Sequence, residues 1–174
     1  MTVTRLITLE DAPVLAKLLQ ANRAFLAPWD PVRGADYYTE RGQRDNIAAG
    51  LSQYREGAKL PHVILNESGA VAGRITLSSI VRGPFQSCSL GYWVGAADNG
   101  RGLAAAAVRE IIQVAFGDLS LHRIEAGTLL HNTRSQRVLE RNGFTRFGVA
   151  PQYLKIADRW QDHVLFQLVN SGPD

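Results

Sequence analysis

Two glycines in a six-residue stretch, Asn99-Gly100-Arg101-Gly102-Leu103-Ala104, have the residue types and the spacing that most directly indicate chemistry. The stretch lies between an apolar strand pattern that ends near Val94 and a long helix pattern that begins at Gly102. A glycine-containing turn that opens a helix presents unpaired backbone N–H groups at the positive end of the helix dipole. Such a turn suits a pyrophosphate or another multiply charged anion, although a short Gly-x-Gly is equally compatible with an ordinary tight turn.

This turn would be positioned by one strand before it and one helix after it. The helix is predicted over residues 102–116, because apolar side chains recur on one face, and Gly117 is expected to end it. Strands are predicted over residues 85–94 and 122–128, on either side of this helix. A strand-helix-strand crossover of this kind should place the two strands parallel and adjacent.

The remaining pattern predicts one α+β domain that spans residues 1–174. Residues 25–31 should not form a regular helix, because Pro28 and Pro31 bracket Trp29. Further strands are predicted at residues 4–8, 62–65, 71–79, 144–149 and 162–169, and further helices from residue 10, over 36–56 and over 133–141. The predicted order is a strand, two helices, three antiparallel strands, a helix, a strand, a helix and two strands.

Composition excludes several classes of protein. The chain has 174 residues, of which 45% are hydrophobic and 20% charged, as in an ordinary globular domain. Cys88 is the single cysteine, so an intrachain disulfide is impossible and a reducing, cytoplasmic compartment is expected. The histidines show no metal-ligand spacing, and we expect no metal. The longest apolar run is too short to span a membrane, and the dispersed net charge of +3 does not indicate sequence-specific nucleic-acid binding.

A second motif follows the predicted fifth strand, His131-Asn132-Thr133-Arg134-Ser135-Gln136-Arg137-Val138-Leu139-Glu140-Arg141-Asn142-Gly143-Phe144. It resembles the Asn-x-x-Ser-x-x-Val-Leu-Glu-x-x-Gly-Phe segment of GCN5-related N-acetyltransferases (GNAT), in the branch that acetylates ribosomal proteins. The glycine turn is similar to the Gln/Arg-x-x-Gly-x-Gly/Ala pyrophosphate loop of the same superfamily, with Asn99 in place of the longer Gln or Arg. Shorter matches occur at residues 22–33, 81–83, 90–92, 122–124 and 160–165.

This resemblance implies a single GNAT-type domain with a mixed, mostly antiparallel sheet of about seven strands and helices on both faces. It implies acetyl-CoA as the co-substrate, lying where the fourth and fifth strands splay apart. The pantetheine arm is expected along the backbone of Trp93 and Val94. The pyrophosphate is expected on the amides from Gly100 to Ala104, with the side chain of Arg101 either assisting or lying on the surface.

Acetyl transfer to an amine requires an uncharged nucleophile and help for the departing thiolate. An N-terminal α-amine has a pKa of ~7.7–8, against ~10.4 for lysine, so it needs only a modest base or a bound water. The resemblance assigns Ser135 to hydrogen-bond and help protonate the CoA sulfur, and a first-turn position suits a developing thiolate. Glu125 is a candidate base that would act through water. A first-turn serine without a catalytic role and a salt-bridged glutamate are the ordinary alternatives.

Three more side chains are candidates for binding. Asn132 is expected to hydrogen-bond the pantetheine or acetyl region, but it is also a good helix N-cap. Trp29 and Tyr153 are expected to line a groove for the acceptor, although large aromatic side chains usually serve packing.

We therefore expect an acetyl-CoA-dependent enzyme that acetylates the N-terminal alanine of a small-subunit ribosomal protein by direct, sequential attack, with contact to the ribosome. One alternative is an acetyltransferase for a small amine such as an aminoglycoside or a polyamine, which an acidic acceptor pocket would favour. Another is a non-catalytic acetyl-CoA-binding or ribosome-assembly module. The cofactor motifs are common to all three, so the acceptor side has to discriminate between them.

Overall fold

Seven strands form one mixed sheet in the computed structural model, which describes residues 2–172. The spatial order of the strands is β1-β2-β3-β4-β5-β7-β6. The strands are β1 (Thr4–Leu6), β2 (Leu60–Leu65), β3 (Val71–Val81), β4 (Ser87–Val94), β5 (Arg123–Leu129), β6 (Thr145–Ile156) and β7 (Arg159–Val169). The helices are α1 (Ala12–Ala21), α2 (Arg23–Leu26), α3 (Glu40–Arg55), α4 (Leu103–Gln113) and α5 (Thr133–Arg141).

The pair β4 and β5 is parallel, whereas the other neighbouring strands in the sheet run antiparallel. Helix α4 makes the crossover between them, so the prediction of adjacent parallel strands is confirmed. Their pairing is short: only Ser87, Cys88 and Ser89 find Cα partners on β5, at Arg123, Ile124 and Glu125. Both strands continue beyond this register without pairing to each other. The splay that the resemblance implied is therefore present in the structure.

Helices cover both faces of the sheet, as predicted. One face carries α4 and α5, whose Ala107, Ile111 and Leu139 are fully buried in the larger core cluster. The other face carries α1 and α3, which pack Leu15 and Ile47 in a second cluster. Because successive side chains of a strand point to opposite faces, β3 supplies apolar side chains to the first face and polar ones to the second.

Three local predictions need correction. Residues 23–26 form one helical turn, α2, because a proline at position 28 restricts the residue before it but not the turn further upstream. Gly117 does not end the helix after α4; the chain widens into a π-helical turn over Val114–Asp118. Strand β6 is twice as long as predicted, and its Pro151 is tolerated because β6 lies at the edge of the sheet.

Candidate active site

The glycine turn between β4 and α4 has the backbone geometry that binds anions. Gly100 and Gly102 have φ angles of 80° and 81°, in the left-handed region that favours glycine. Gly102 is the N-cap of α4 and offers no side chain to the first turn of the helix. Within the described part of the chain, the backbone N–H groups of residues 100–105 have no hydrogen-bond partner. These six amides lie at the positive end of the α4 dipole.

Two buried or half-buried asparagines hold this turn in place. Asn22 donates to the carbonyl of Leu18 (2.8 Å) and accepts from the backbone N–H of Ala96 (2.8 Å). Asn66 in the β2–β3 turn donates to the carboxylate of Asp98 at 3.3 Å. The segment that leads into the glycine turn is therefore anchored to two other parts of the fold.

A cavity of about 950 Å³ opens between this turn, the free end of β4 and the start of α5. We call it the turn cavity. Trp93 and Val94 line it from β4, whose edge toward β5 has no strand partner beyond Ser89. Asn99, Gly100, Gly102, Leu103 and Ala104 line it from the turn. The cavity thus joins an unpaired strand edge to the unpaired amides.

The start of α5 closes the turn cavity on its other side. Asn132 is the N-cap, since its Oδ1 accepts from the backbone N–H of Ser135 at 3.2 Å. Buried Gln136 donates to the carbonyls of Leu129 and Leu130 at 3.1 and 3.0 Å, which ties α5 to the end of β5. Asn132 and Ser135 therefore face the cavity from a rigid first turn.

Ser135 has a partner that the sequence did not disclose. The hydroxyl oxygen of Tyr92 lies 2.8 Å from Ser135 Oγ, where either oxygen can be the donor, and its single proton has the Ser135 carbonyl oxygen at 3.3 Å as the more distant alternative acceptor. Burial raises the pKa of Tyr92 to about 12, against the opposing effect of its bond to Ser135. Tyr92 is therefore a neutral phenol near pH 7 and can donate a proton to Ser135 Oγ while Ser135 donates its own elsewhere.

Three arginines extend along the turn cavity from α5. Arg134, Arg137 and Arg141 all line it. Their spacing of three and four residues places them on one face of the helix. They add positive charge along the side of the turn cavity that α5 forms.

A second cavity of about 490 Å³ lies on the α1–α3 face, and we call it the sheet cavity. Its floor includes Arg74, Thr76 and Ser78, the alternate residues of β3 that point to this face. Leu26, Trp29, Tyr92, Trp93, Asn132 and Ser135 line both cavities. The two cavities therefore meet at the Tyr92–Ser135 pair.

Three of the predicted site residues lie outside both linings. Glu125 is ion-paired with Arg123 (Oε1 to Nε, 3.0 Å) at the level where β4 and β5 are still paired. Arg101 is exposed at the glycine turn. Tyr153 is also exposed, with its ring 5.4 Å from that of His163, which does line the sheet cavity. The role of Glu125 as a base that acts through water therefore stays a prediction, and the proposal below does not depend on it.

Sequence reasoning missed Tyr92 and the three α5 arginines as site residues. The arginines had a readable signal in their helical spacing. Tyr92 had none, since its contact with Ser135 joins residues 43 positions apart. Between residues 2 and 172, no helix is long and apolar enough to cross a membrane, and no cluster of three His, Cys, Asp or Glu side chains could hold a metal ion.

Comparison with known proteins identifies the class to which this fold and site belong. The profile of the acetyltransferase (GNAT) domain matches residues 2–145. The chain therefore belongs to the GNAT family of N-acetyltransferases.

Particular relatives place it near the branch that acts on ribosomal proteins. The chain is 36% identical over 161 residues to the probable N-acetyltransferase YjcK of Bacillus subtilis, covering 92% of this chain and 89% of the relative. It is 34% identical over 167 residues to the ribosomal protein uS5-alanine N-acetyltransferase of Escherichia coli, covering 95% and 86%. The solved structure of Mycobacterium smegmatis RimJ in complex with CoA-disulfide is 30% identical, with a TM-score of 0.91 over 95% of this chain and 80% of that one.

Proposed function

We propose that this enzyme transfers the acetyl group of acetyl-CoA to the N-terminal α-amine of a protein in the cytoplasm, with a ribosomal protein ending in alanine as the acceptor. The observation that carries the proposal is the meeting of the two cavities at Tyr92 and Ser135. One cavity has the backbone groups that a coenzyme requires, and the other is open to an acceptor. The relative from Escherichia coli, named for its action on uS5, supports the choice of acceptor.

The turn cavity fits acetyl-CoA as the donor substrate. Six unpartnered amides at residues 100–105 match a pyrophosphate, which needs several N–H donors at once. The unpaired edge of β4 at Trp93 and Val94 offers backbone groups to the amides of a pantetheine arm. Arg134, Arg137 and Arg141 supply charge for further phosphate oxygens, as arginine forks suit phosphate geometry. Asn132 caps α5 and lines the same cavity, so it positions the first turn of the helix beside the bound acetyl-CoA.

In this mechanism the chain's own residues act on the leaving group. The acceptor amine attacks the thioester carbonyl directly, and the sulfur leaves with the electron pair of the broken C–S bond. Ser135 Oγ donates its hydrogen bond to that sulfur, and Tyr92 donates to Ser135 Oγ in turn. The dipole of α5 favours the same developing negative charge. An α-amine is partly neutral near pH 7, and after the attack the nitrogen, now positively charged, releases one proton to water as the amide forms.

The charges of the sheet cavity favour this acceptor over a polyamine or an aminoglycoside. Arg33, Lys59 and Arg74 line it, and Asp30 is the one carboxylate among its described lining residues. A polycationic acceptor would meet net repulsion there. The cavity also includes Trp29, which lies on its boundary with the turn cavity and offers an aromatic surface to the end of a peptide.

The test is thiol release from acetyl-CoA with an alanine-terminated peptide, read in parallel with mass analysis of the peptide. We expect release of CoA and addition of one acetyl group to the N-terminal residue. The matched control is the same peptide with its α-amine blocked and one internal lysine left free. Acetylation of that lysine, or turnover with spermidine alone, would contradict the proposed acceptor. Mass analysis of ribosomal proteins from cells with and without this enzyme would then identify the acceptor.

A further inference from the structure

The sheet cavity contains an arginine, Arg74, that forms no ion pair with an acid among residues 2–172. Arg74 is only 8% exposed, and its side chain donates from Nη1 to a neutral partner, Asn46 Oδ1, at 3.0 Å. Buried charges are almost always paired with an opposite charge, because removing a charge from water is costly. An amide oxygen satisfies one of five N–H donors and leaves the charge uncompensated.

The other charges around this cavity do not supply the missing anion. Asp30 lies 3.9 Å from Arg33 and is already engaged with it. Lys59 forms neither a hydrogen bond nor an ion pair with any residue between 2 and 172. Burial, and then the charge of Arg74, lower the pKa of Lys59, which means that the two cations repel across the cavity. An anion bound between them would relieve that repulsion.

A second polar group in the same lining is also unsatisfied. Thr128 is 4% exposed, and its Oγ1 has no hydrogen-bond partner. Buried hydroxyls without a partner are rare, because each forfeits the bonds it made in water. The cavity therefore contains unused hydrogen-bonding groups on both β3 and β5.

We propose that the acceptor carries a carboxylate within one or two residues of its reacting amine, and that Arg74 and Lys59 bind this carboxylate. The proposal rests on the function proposed above and specifies its acceptor. Guanidinium and ammonium groups that a carboxylate bridges gain charge-assisted hydrogen bonds in place of mutual repulsion. A free amino acid could present the same group through its own α-carboxylate, and we commit to the acidic side chain of a peptide.

The register of the sheet sets the distance over which this recognition works. Arg74 pairs with Trp93, and the preceding pair is Ile75 with Tyr92. Arg74 is thus one register position from Tyr92 and points to the opposite face of the sheet, and both side chains line the sheet cavity. An extended peptide advances about 3.4 Å per residue, which places the second or third side chain of the acceptor near the cations.

The experiment compares peptides that begin with alanine and are amidated at the C-terminus. They differ only in their second and third residues. The three peptides carry glutamate, glutamine or lysine at these positions, and kcat/KM is measured for each by thiol release. We expect the glutamate peptide to exceed the glutamine peptide by about tenfold or more, since hydrogen bonds to charged groups are the strong ones. Free alanine against alaninamide forms the second arm, and a preference there instead would assign the carboxylate to an amino acid and overturn our choice of a peptide side chain.

Two variants connect this preference to the cations. In Arg74→Gln the ratio between the glutamate and glutamine peptides should fall toward one, and in Lys59→Gln it should fall by several-fold. Lys59 is half-buried, so we expect Lys59→Gln to fold. This variant keeps the test informative if Arg74→Gln does not fold. Arg123→Gln, a strand arginine outside both cavities, is the matched control and should keep the wild-type ratio. Acetyl-CoA affinity, measured by calorimetry, reports whether each variant is folded.

The outcomes separate the two proposals. If no peptide is acetylated, the proposed function fails and this inference fails with it. If all three peptides are acetylated at similar rates, the proposed function stands and carboxylate recognition is overturned. A preference for glutamate that persists in both Arg74→Gln and Lys59→Gln would also overturn it.

Discussion

The turn cavity and the sheet cavity share one wall but are built from different parts of the chain. The turn cavity offers mainly main-chain atoms, at residues 100–105 and along the free edge of β4, with the three arginines of α5 beside them. The sheet cavity takes them from side chains of separate elements, among them Arg33, Lys59 and Arg74. Main-chain recognition suits a substrate that never changes, such as acetyl-CoA. Side-chain recognition can be altered one residue at a time, and so it suits an acceptor that differs between relatives.

The largest effect is expected from a change that disrupts main-chain recognition in the turn cavity. Gly102→Asp places a carboxylate on the anion-binding turn and forces a left-handed φ of 81° on a residue with a Cβ. Like charges brought together cost several kcal/mol, so acetyl-CoA affinity should fall by more than about a hundredfold. Calorimetry measures this loss.

Two further variants sharpen that result. Gly57→Asp creates the same strain at a φ of 74°, outside both cavities, and should leave acetyl-CoA affinity unchanged. Asn99→Ala removes a side chain from the turn but no amide, and should cost less than about threefold. An undiminished affinity in Gly102→Asp would contradict recognition by the main chain.

The second prediction concerns the shared wall. Ser135→Ala should lower kcat by about a hundredfold, at the lower end of what a positioned proton donor contributes. Its acetyl-CoA affinity should change little, because the contact belongs to the leaving group. Stopped-flow or steady-state thiol release gives kcat, and Ser89→Ala, on the paired part of β4, is the control. Unchanged turnover would reduce Ser135 to a helix residue.

The third prediction concerns the close pairing of β3 and β4 next to the wall that the two cavities share. A Cβ at Gly73 would overlap the carbonyl oxygen of Trp93, where β3 and β4 pair closely. Gly73→Ala should therefore lower the free energy of unfolding by about 2 kcal/mol or more, as overpacking does. Denaturant unfolding measures this change. Gly148→Ala, where nothing lies within 4 Å of the added carbon, should change stability far less, and equal losses in both variants would refute the close approach.

The fourth prediction concerns the dependence of the rate on pH, which changes the protonation of the acceptor and leaves the protein's structure unchanged. If the neutral α-amine is the nucleophile, kcat/KM should rise roughly tenfold per unit below about pH 7.5 and level off above about pH 8. For an acceptor without an acidic side chain, whose binding does not depend on the charge of Lys59, it should then stay level to about pH 10, because burial holds the pKa of Tyr92 at about 12 and the phenol keeps its proton. A fall between pH 8 and 10 would contradict the role of neutral Tyr92.

The same contrast explains what could be predicted from sequence. Glycines at positions 100 and 102 indicate a turn, and both have a positive φ in the structure. Helix α5 matches its predicted bounds of 133–141. Local signals of this kind concern residues that are neighbours in the chain. They sufficed for the order of the elements and for most of the turn cavity.

The sheet cavity could not be predicted in this way. Arg74 belongs to the alternating polar residues of β3, and nothing in its sequence neighbours indicates that Lys59 and Arg33 line the same cavity. The contact of Tyr92 with Ser135 likewise depends on where α5 packs after the splay. The position of Glu125 relative to the cavities also depends on register, which pairs it with Ser89 before the strands separate, and its role as base stays a prediction. Convergence of distant side chains is a property of the tertiary fold.

The central claim is that main-chain amides at the start of α4 hold the pyrophosphate of coenzyme A. Backbone amide resonances recorded during a titration with CoA test it most directly. We expect the largest shifts at residues 100–105, whose N–H groups have no partner in the described chain. Saturable binding of CoA that leaves those six resonances unmoved would contradict the claim.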